Sequence, residues 1–541
     1  MKKLQQTRIR IWFLIHCILS ILYLSASASP TTSPLCNNGL KVEHPYMTSD
    51  VTEVEGKSFN YIIIGGGACG CPLAATLSEK FSVLVIERGD SPYGHPTILE
   101  RNKFGYPLVE TNKYTSVAQE FVSLDGVLNY RGRVLGGSTA INSGFYSRAS
   151  DAFNKKMGWD EKMVKQAYEW VESKVVSAPE TLSPWQSVVL DGLLEAGVLP
   201  FNGYTLEHVQ GTKLSGTIFD VLGKRHTAAD LLGGGNPKNI VVLLNATVSK
   251  VFFHHDEDKA GDKPSAKGVK FIKSDDDTKK SHKVYLKKQE NSSLPRGEVI
   301  LTAGALSSPQ ILMLSGIGPS KHLQTFNISV LADLKSVGNR MQDNPAISLL
   351  VDSKPKSRTP DTPQVTGITE NFKVILESII VPVSKDLTRV SIAGKLAFPA
   401  STGTLELKNK DPRENPLVKF NYLSKDEDME YCVKIHQLVE GVSMSEAVSV
   451  YLGRERSRLE KLGKEESKEY CKKNVSTFYH YHGGCTIGEV VDKDYNVYGI
   501  KGLRVMDGST LVESPGTNPM GTLMMLGRYQ GLKIVQGRSS S

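Results

Sequence analysis

Short unbroken apolar runs, rather than long alternating stretches, mark both ends and the middle of this chain. Phe59 to Ile64 is one such run, and it stops at Gly65-Gly66-Gly67. A run of that length entering a glycine turn predicts a buried strand. Pro72 to Lys80 follows as a helix. Phe81 to Ile86 is a second strand, rich in β-branched residues and ending at Glu87. Strand, turn, helix and strand within about 30 residues make a βαβ unit with parallel strands. Apolar periodicity predicts a long helix over Met163 to Val175. Glu298 to Ala303 reads as another buried strand, with a helix over Ser308 to Leu314. Leu503 to Met506 closes the set of core strands, and Pro519 to Gly531 is the last helix. Two polar stretches interrupt this pattern. His254 to Arg296, rich in Asp, Lys and Ser, reads as exposed strands and loops; Ser353 to Gln364 is polar and proline-spotted. Because nucleotide-type elements lie at both ends and in the middle, one domain is expected from the separated segments 57–150, 225–320 and 475–541. A second is expected from 151–224 and 321–474.

The first residues follow a different pattern. A basic start precedes the apolar run Ile11 to Leu24, broken by His16 and Ser20, and then Ser25-Ala26-Ser27-Ala28-Ser29. Ala26-x-Ala28 suits signal peptidase, and the run is short for a bilayer core of about 30 Å, so residues 1–28 are expected to be a cleaved secretory signal rather than an anchor. The formal net charge of +8 includes Lys2, Lys3, Arg8 and Arg10 of that segment, leaving 8 − 4 = +4. So weak a charge without a basic stripe excludes nucleic acid as a partner. The chain of 541 residues, 40% hydrophobic and 23% charged, is that of a soluble globular protein, expected to be a monomer. Seven cysteines are few for a disulfide scaffold, and none is spaced as a metal site requires. Four Asn-x-Ser/Thr sequons, at Asn245, Asn291, Asn327 and Asn474, fit an oxidising, glycosylating pathway and a secreted protein.

Gly65-x-Gly67-x-x-Gly70 sits where a dinucleotide fingerprint belongs. The first glycine makes the tight turn, the second lets backbone approach a pyrophosphate, and the third permits close helix–strand packing. The helix N-terminus then holds the phosphates. Glu87, 22 residues after Gly65, ends the second strand, where a carboxylate binds a ribose hydroxyl pair. This pattern suits NAD or the adenosine half of FAD and does not separate them.

Longer motifs do. Arg131-Gly132-Arg133-Val134-Leu135-Gly136-Gly137-Ser138-Thr139-Ala140-Ile141-Asn142 resembles the first signature of the glucose–methanol–choline oxidoreductases. Gly304-Ala305-Leu306-Ser307-Ser308-Pro309-Gln310-Ile311-Leu312 with Ser315-Gly316-Ile317-Gly318-Pro319 resembles the second, and Val505-Met506-Asp507-Gly508-Ser509 the flavin-contacting C-terminal motif. Pro72 to Lys80, Tyr168 to Glu172 and Met525 to Tyr529 resemble the plant branch of mandelonitrile lyases and HOTHEAD-like dehydrogenases. The resemblance implies an α/β (α+β overall) protein: a Rossmann-like FAD-binding domain and a substrate domain built on an antiparallel sheet with covering helices. It implies cofactor contacts at Ala68, Cys69 and Arg88 beside the fingerprint, and at Val134, Ser138, Asn142 and Gly144 in the first signature. Further contacts fall at Val248, Tyr479, Asp507, Gly508, Pro519 and Met520. Where some relatives carry a flavin-linking histidine, Ile141 occupies the region, so the FAD is expected to be non-covalent. The branch's pattern also implies a disulfide between Cys432 and Cys471.

Oxidising an alcohol by hydride transfer requires loss of the hydroxyl proton to a nearby base, and histidine is the natural choice. Phe478-Tyr479-His480-Tyr481-His482-Gly483-Gly484-Cys485 is the best candidate segment. The family register places the catalytic base on His480 and leaves His482 structural, bonding backbone at the glycine bend. The second family position falls on Asn518, which with Pro519 also looks like a helix start. Relatives that cleave cyanohydrins have histidine at the position of Asn518 and tyrosine at that of Phe478. Asn518 is not a general base and Phe478 donates no hydrogen bond, so oxidation of an alcohol is preferred to cyanohydrin cleavage. Phe478 and Tyr479 are expected to face substrate, and Gly441 to Glu469 to form part of the pocket wall.

Overall fold

The computed structural model describes residues 44–541, apart from 110, 255–262, 277, 289–296, 352–357, 455–461 and 540–541. The proposed signal and Asn291 lie outside the described residues. Residues Pro45 to Ser541 form one compact unit. At its centre is a six-stranded, wholly parallel sheet in the order 47–48, 240–243, 83–86, 61–64, 298–301, 503–505. Its strands are unbroken apolar runs because both faces are buried. Ile62, Ile64, Leu84, Ile86, Val299 and Leu301 pack into one core, and Tyr61, Ile63, Val83, Val85 and Ile300 into another. The parallel βαβ unit expected from the sequence is present, its helix running Gly70–Ser78. The last helix, Pro519–Ser539, runs eight residues beyond the expected end and packs on Gly70–Ser78.

The second large sheet has seven strands in the order 476–477, 345–351, 388–396, 374–382, 365–368, 211–214, 201–204, antiparallel except for the last pair. Val374, Leu376, Val390, Ile392 and Leu396 form one face, covered by the helices Pro184–Glu195 and Asp426–Ser443. Alternation along the same strands sends Glu377 and Lys395 to the opposite face. The strand Ser476–Thr477, expected in the nucleotide-binding part, pairs with this sheet. It thereby carries the segment leading to His480 from one sheet to the other.

The polar stretch His254 to Arg296 differs from its expectation. Ser265–Lys273 and His282–Leu286 are strands of a four-stranded sheet whose residues Ala266, Val269, Phe271, Val284 and Leu286 are buried. Polar residues alternate with apolar ones there, so composition masked a half-buried sheet.

Candidate active site

The glycine turn is shaped as a cradle. A Cβ on Gly65, whose φ is +100°, would lie 2.8 Å from Ala303 Cα and Thr302 O, and one on Gly70 would lie 2.1 Å from Gly65 O. These two glycines are therefore required by packing within the protein. Gly67 differs: its added Cβ would meet nothing nearer than Gly137 Cα at 3.9 Å. The Gly67, Ala68 and Cys69 N–H groups have no partner among the described residues. Unpaired donors at the mouth of a helix beside open space fit a phosphate group.

Glu87 directly follows its strand and is buried, which raises its carboxyl pKa. Oε2 accepts from Gly66 N at 3.0 Å and Oε1 from Gly89 N at 2.9 Å, so the carboxylate is held rigid with lone pairs left for ribose hydroxyls. Arg88 is spent within the protein, donating to Gln119 Oε1 and, at 2.9 Å, to Gly132 O. Ser138 Oγ accepts from Gly132 N, and Asn142 Oδ1 accepts from Gly144 N and Arg225. The Asn142 amide also reaches Met520 Sδ at 3.0 Å. Val134 and Val248 are buried. Asp507 is a brace: Oδ2 accepts from Gly304 N and Ser308 Oγ, and Oδ1 from Ser509 N, tying the Gly304–Leu314 helix to the Gly508 turn. The open Gly67 cradle, the unpaired N–H groups and the rigid Glu87 carboxylate together fit a dinucleotide such as FAD.

His480 lies at the far side of this chain of turns. Tyr479, next to it, has φ +62°, a left-handed conformation costly for a bulky residue, and is half exposed. The turn is held by Tyr479 N donating to Thr477 Oγ1 and by His480 N donating to Asp343 Oδ1, both at 2.7 Å. Among the described residues the His480 ring is engaged through Nδ1 alone, 3.1 Å from Asn344 Oδ1 and 3.2 Å from Lys395 Nζ. Asn344 uses its amide nitrogen on Leu396 O and Ala397 O, so its oxygen is the atom presented to the ring. Burial, then the Lys395 and His482 charges, hold the His480 pKa well below 6.5. Phe478 stands edge-on to the ring at 5.1 Å and under Lys395 Nζ at 5.4 Å.

Asn518 immediately precedes the last helix, where its side chain was expected to cap. It does not: Oδ1 accepts from Lys395 Nζ at 3.1 Å, while the amide hydrogen-bonds the Glu377 carboxylate. With its oxygen on Lys395 Nζ and its nitrogen toward Glu377, the amide has one orientation. His482 is buried; Nδ1 lies 2.9 Å from the His480 carbonyl, an acceptor, so that nitrogen carries the proton and Nε2 is left without a partner. Its pKa is pushed down to about 4, chiefly by burial.

Several residues here escaped the sequence reading. Lys395, Glu377 and Lys213 are all buried on one face of the antiparallel sheet, and Thr366 pairs with both Lys213 and Glu377. The available signal was a charge at a period-two position of an otherwise apolar strand, as in Thr388–Leu396. Lys213 is satisfied by Ser147 Oγ, Thr205 O and Glu207 O. His208 is buried, neither ring nitrogen has a partner among the described residues, and its ring lies tilted to Phe372 at 5.1 Å. Within Gly441 to Glu469, expected as pocket wall, the helix Glu446–Leu452 packs on Pro184–Glu195. Tyr451 lines a cleft of about 1120 Å³ with Arg101, Trp185 and Arg358, which includes neither His480 nor Asn518. Among the described residues no cluster suits a metal ion.

Two family models described as GMC oxidoreductase match residues 59–346 and 399–527. The chain belongs to the GMC oxidoreductase family. Its relatives include an (R)-mandelonitrile lyase-like protein of Arabidopsis thaliana, 43% identical over 89% of this chain and 90% of that one. Protein HOTHEAD of Arabidopsis thaliana is 41% identical, over 90% and 89%. A sinalpyl alcohol oxidase of Nesocodon mauritianus is 42% identical, over 90% of each chain. Among solved structures, formate oxidase of Aspergillus oryzae superposes with a TM-score of 0.75 at 18% identity, covering 90% of this chain and 99% of that one. The expected α/β architecture is thus that of a GMC flavoprotein, and FAD is its cofactor.

Proposed function

We propose that this protein oxidises a small-molecule alcohol to its carbonyl compound, with His480 as the base and FAD held without a covalent link. The observation that carries this reading is the one-sided engagement of His480. Nδ1 is fixed by Asn344 and Lys395, which leaves Nε2 as the ring nitrogen without a hydrogen bond. Bound FAD supplies the hydride acceptor. The Gly67–Cys69 donors and Glu87 hold its phosphates and ribose; Ile141, which offers no linking nitrogen, supports a non-covalent cofactor. His480 Nε2 takes the hydroxyl proton as the carbonyl forms, and the low pKa of the ring keeps that nitrogen unprotonated beforehand. Phe478 and Tyr479 face the substrate.

Cyanohydrin cleavage is the alternative, and the mandelonitrile lyase names among the relatives keep it in view. Against it stands Asn518, whose amide is turned into the Lys395–Glu377 pair and is no base. We further infer a secretory signal over residues 1–28, domains cut at the boundaries given above, a monomer, and an extracellular location. Among the described sequons Asn327 and Asn474 are exposed, whereas Asn245 is mostly buried.

The test is anaerobic mixing of purified protein with benzyl alcohol, a long-chain ω-hydroxy fatty acid and mandelonitrile. Flavin bleaching with an alcohol is expected, and His480→Ala should slow it by about 10²–10⁴-fold while FAD stays bound. Cyanide release from mandelonitrile without bleaching would establish the lyase instead.

A further inference from the structure

We propose that Lys395 is the final acceptor of the substrate's hydroxyl proton, reached through His480, and that Glu377 keeps Lys395 a free amine before turnover. The inference rests on His480 being the base and extends that reading one residue inward. It starts from a conflict at His480 Nδ1. That nitrogen faces Asn344 Oδ1, an acceptor, and Lys395 Nζ, which only donates when protonated. If Lys395 is an ammonium, it donates to Nδ1. The neutral ring's proton then sits on Nε2, the nitrogen that must be empty. If Lys395 is an amine, Nδ1–H donates inward and Nε2 is a base.

The surroundings favour the amine. Lys395 is fully buried on its strand, and Glu377 is its diagonal neighbour on the same sheet face, with Oε1 unpartnered. An ionised carboxylate oxygen without a partner is costly in such a site, so Glu377 is the better holder of a proton. Burial pushes the Lys395 pKa down and that of Glu377 up. The other ionisable groups around the pair are Lys213, His208, His482 and Asp343. Asp343 is buried but takes hydrogen bonds from Tyr422, Thr477, His480 and Asn344. None of these touches Lys395 Nζ through a hydrogen bond; its described partners are His480 and Asn518.

The step balances. Bound FAD would be the oxidant, accepting as hydride the electron pair of the broken substrate C–H bond. The O–H proton moves to His480 Nε2, and the Nδ1–H bond breaks toward Lys395 Nζ. His480 ends neutral in its other tautomer and Lys395 ends as an ammonium, whose charge offsets the one the hydride delivers. No buried imidazolium persists beside a second cation. Lys395 acts through His480 and is a positioning and relay residue.

Arginine is the discriminating substitution, because it keeps the charge and never gives up its proton. With benzyl alcohol as probe, Lys395→Arg and Lys395→Met should each slow anaerobic flavin reduction by at least roughly tenfold. The wild type should show a solvent-isotope inventory with two protons in flight, the Met variant one. A second readout needs no turnover. Nitrogen-15 NMR of histidine-labelled protein at pH 7, assigned with His480→Gln, should place the His480 proton on Nδ1 in the wild type and on Nε2 in Lys395→Arg. Wild-type reduction by Lys395→Arg, or the same tautomer in both proteins, would overturn the relay. If His480→Ala is slow while Lys395→Arg is not, the base assignment stands and only the relay fails.

Discussion

At the scale of single residues, the three glycines of the fingerprint do different work. Gly65 and Gly70 are surrounded by backbone, and any side chain there collides with the protein itself. Gly67 has room for a Cβ in the polypeptide alone, so under the proposed function the requirement for glycine comes from the phosphate. Gly67→Val should therefore fold with near-normal thermal stability yet purify colourless. Gly70→Val should compromise folding. Absorbance of the purified variants, read beside their melting curves, checks both; a yellow, fully flavinated Gly67→Val protein would refute the cradle. The glycine pattern was legible in the sequence because backbone clearance is a local requirement. Asn518 was not: its position before a proline signalled a cap, but a buried lysine from another sheet outcompeted the helix N–H groups for its oxygen.

At the scale of elements, Cys432 and Cys471 join the helices Asp426–Ser443 and Lys464–Asn474, which cover the antiparallel sheet. The bridge spans 39 residues, and closing a loop of that length stabilises by roughly 3–4 kcal/mol through the unfolded chain. Cys432→Ser with Cys471→Ser should lower the denaturation midpoint accordingly and leave FAD content unchanged, since both cysteines pack in the core of the antiparallel sheet and not in the core that holds the glycine turn's helix. An unaltered midpoint would show that the bridge constrains little. The pairing came from likeness to a family; spacing alone left several cysteine combinations open. The half-buried sheet over 265–286 was missed for a related reason. Period-two alternation in short strands with many charges reads as polarity, and only the covering core shows which face is inside.

At the scale of the whole molecule, buried neutral histidines set part of the acid response. His482 has its pKa pushed down to about 4 from 6.5. The unfolded chain thus binds its proton first as pH falls, and stability from this group, complete above 6.5, is lost between 6.5 and about 4, by roughly 3 kcal/mol. Asp343 works oppositely: burial raises its pKa to about 6, so the folded state takes up its proton first. The two partly cancel, so the net curve hides each. His482→Gln isolates one. Urea denaturation at pH 7 and pH 4 should show the variant losing less stability on acidification than the wild type, by roughly 2–3 kcal/mol. Parallel loss in both proteins would mean that His482 does not titrate on unfolding.

The sequence by itself determined the βαβ unit, the glycine turn and the acid after the second strand, while likeness to a family singled out the candidate base. Each of these depends on neighbours within a few residues: an apolar run buried on both faces, a backbone that must turn tightly, a motif in fixed order. Only the tertiary structure decided what surrounds the candidate base. Lys395, Glu377, Lys213 and Asp343 come from strands and loops far apart in the chain. Their proton affinities depend on lost water and on one another, and no local pattern encodes that. Alternation set which sheet face those charges occupy, but the packing of that face against the His480 turn made them part of the site.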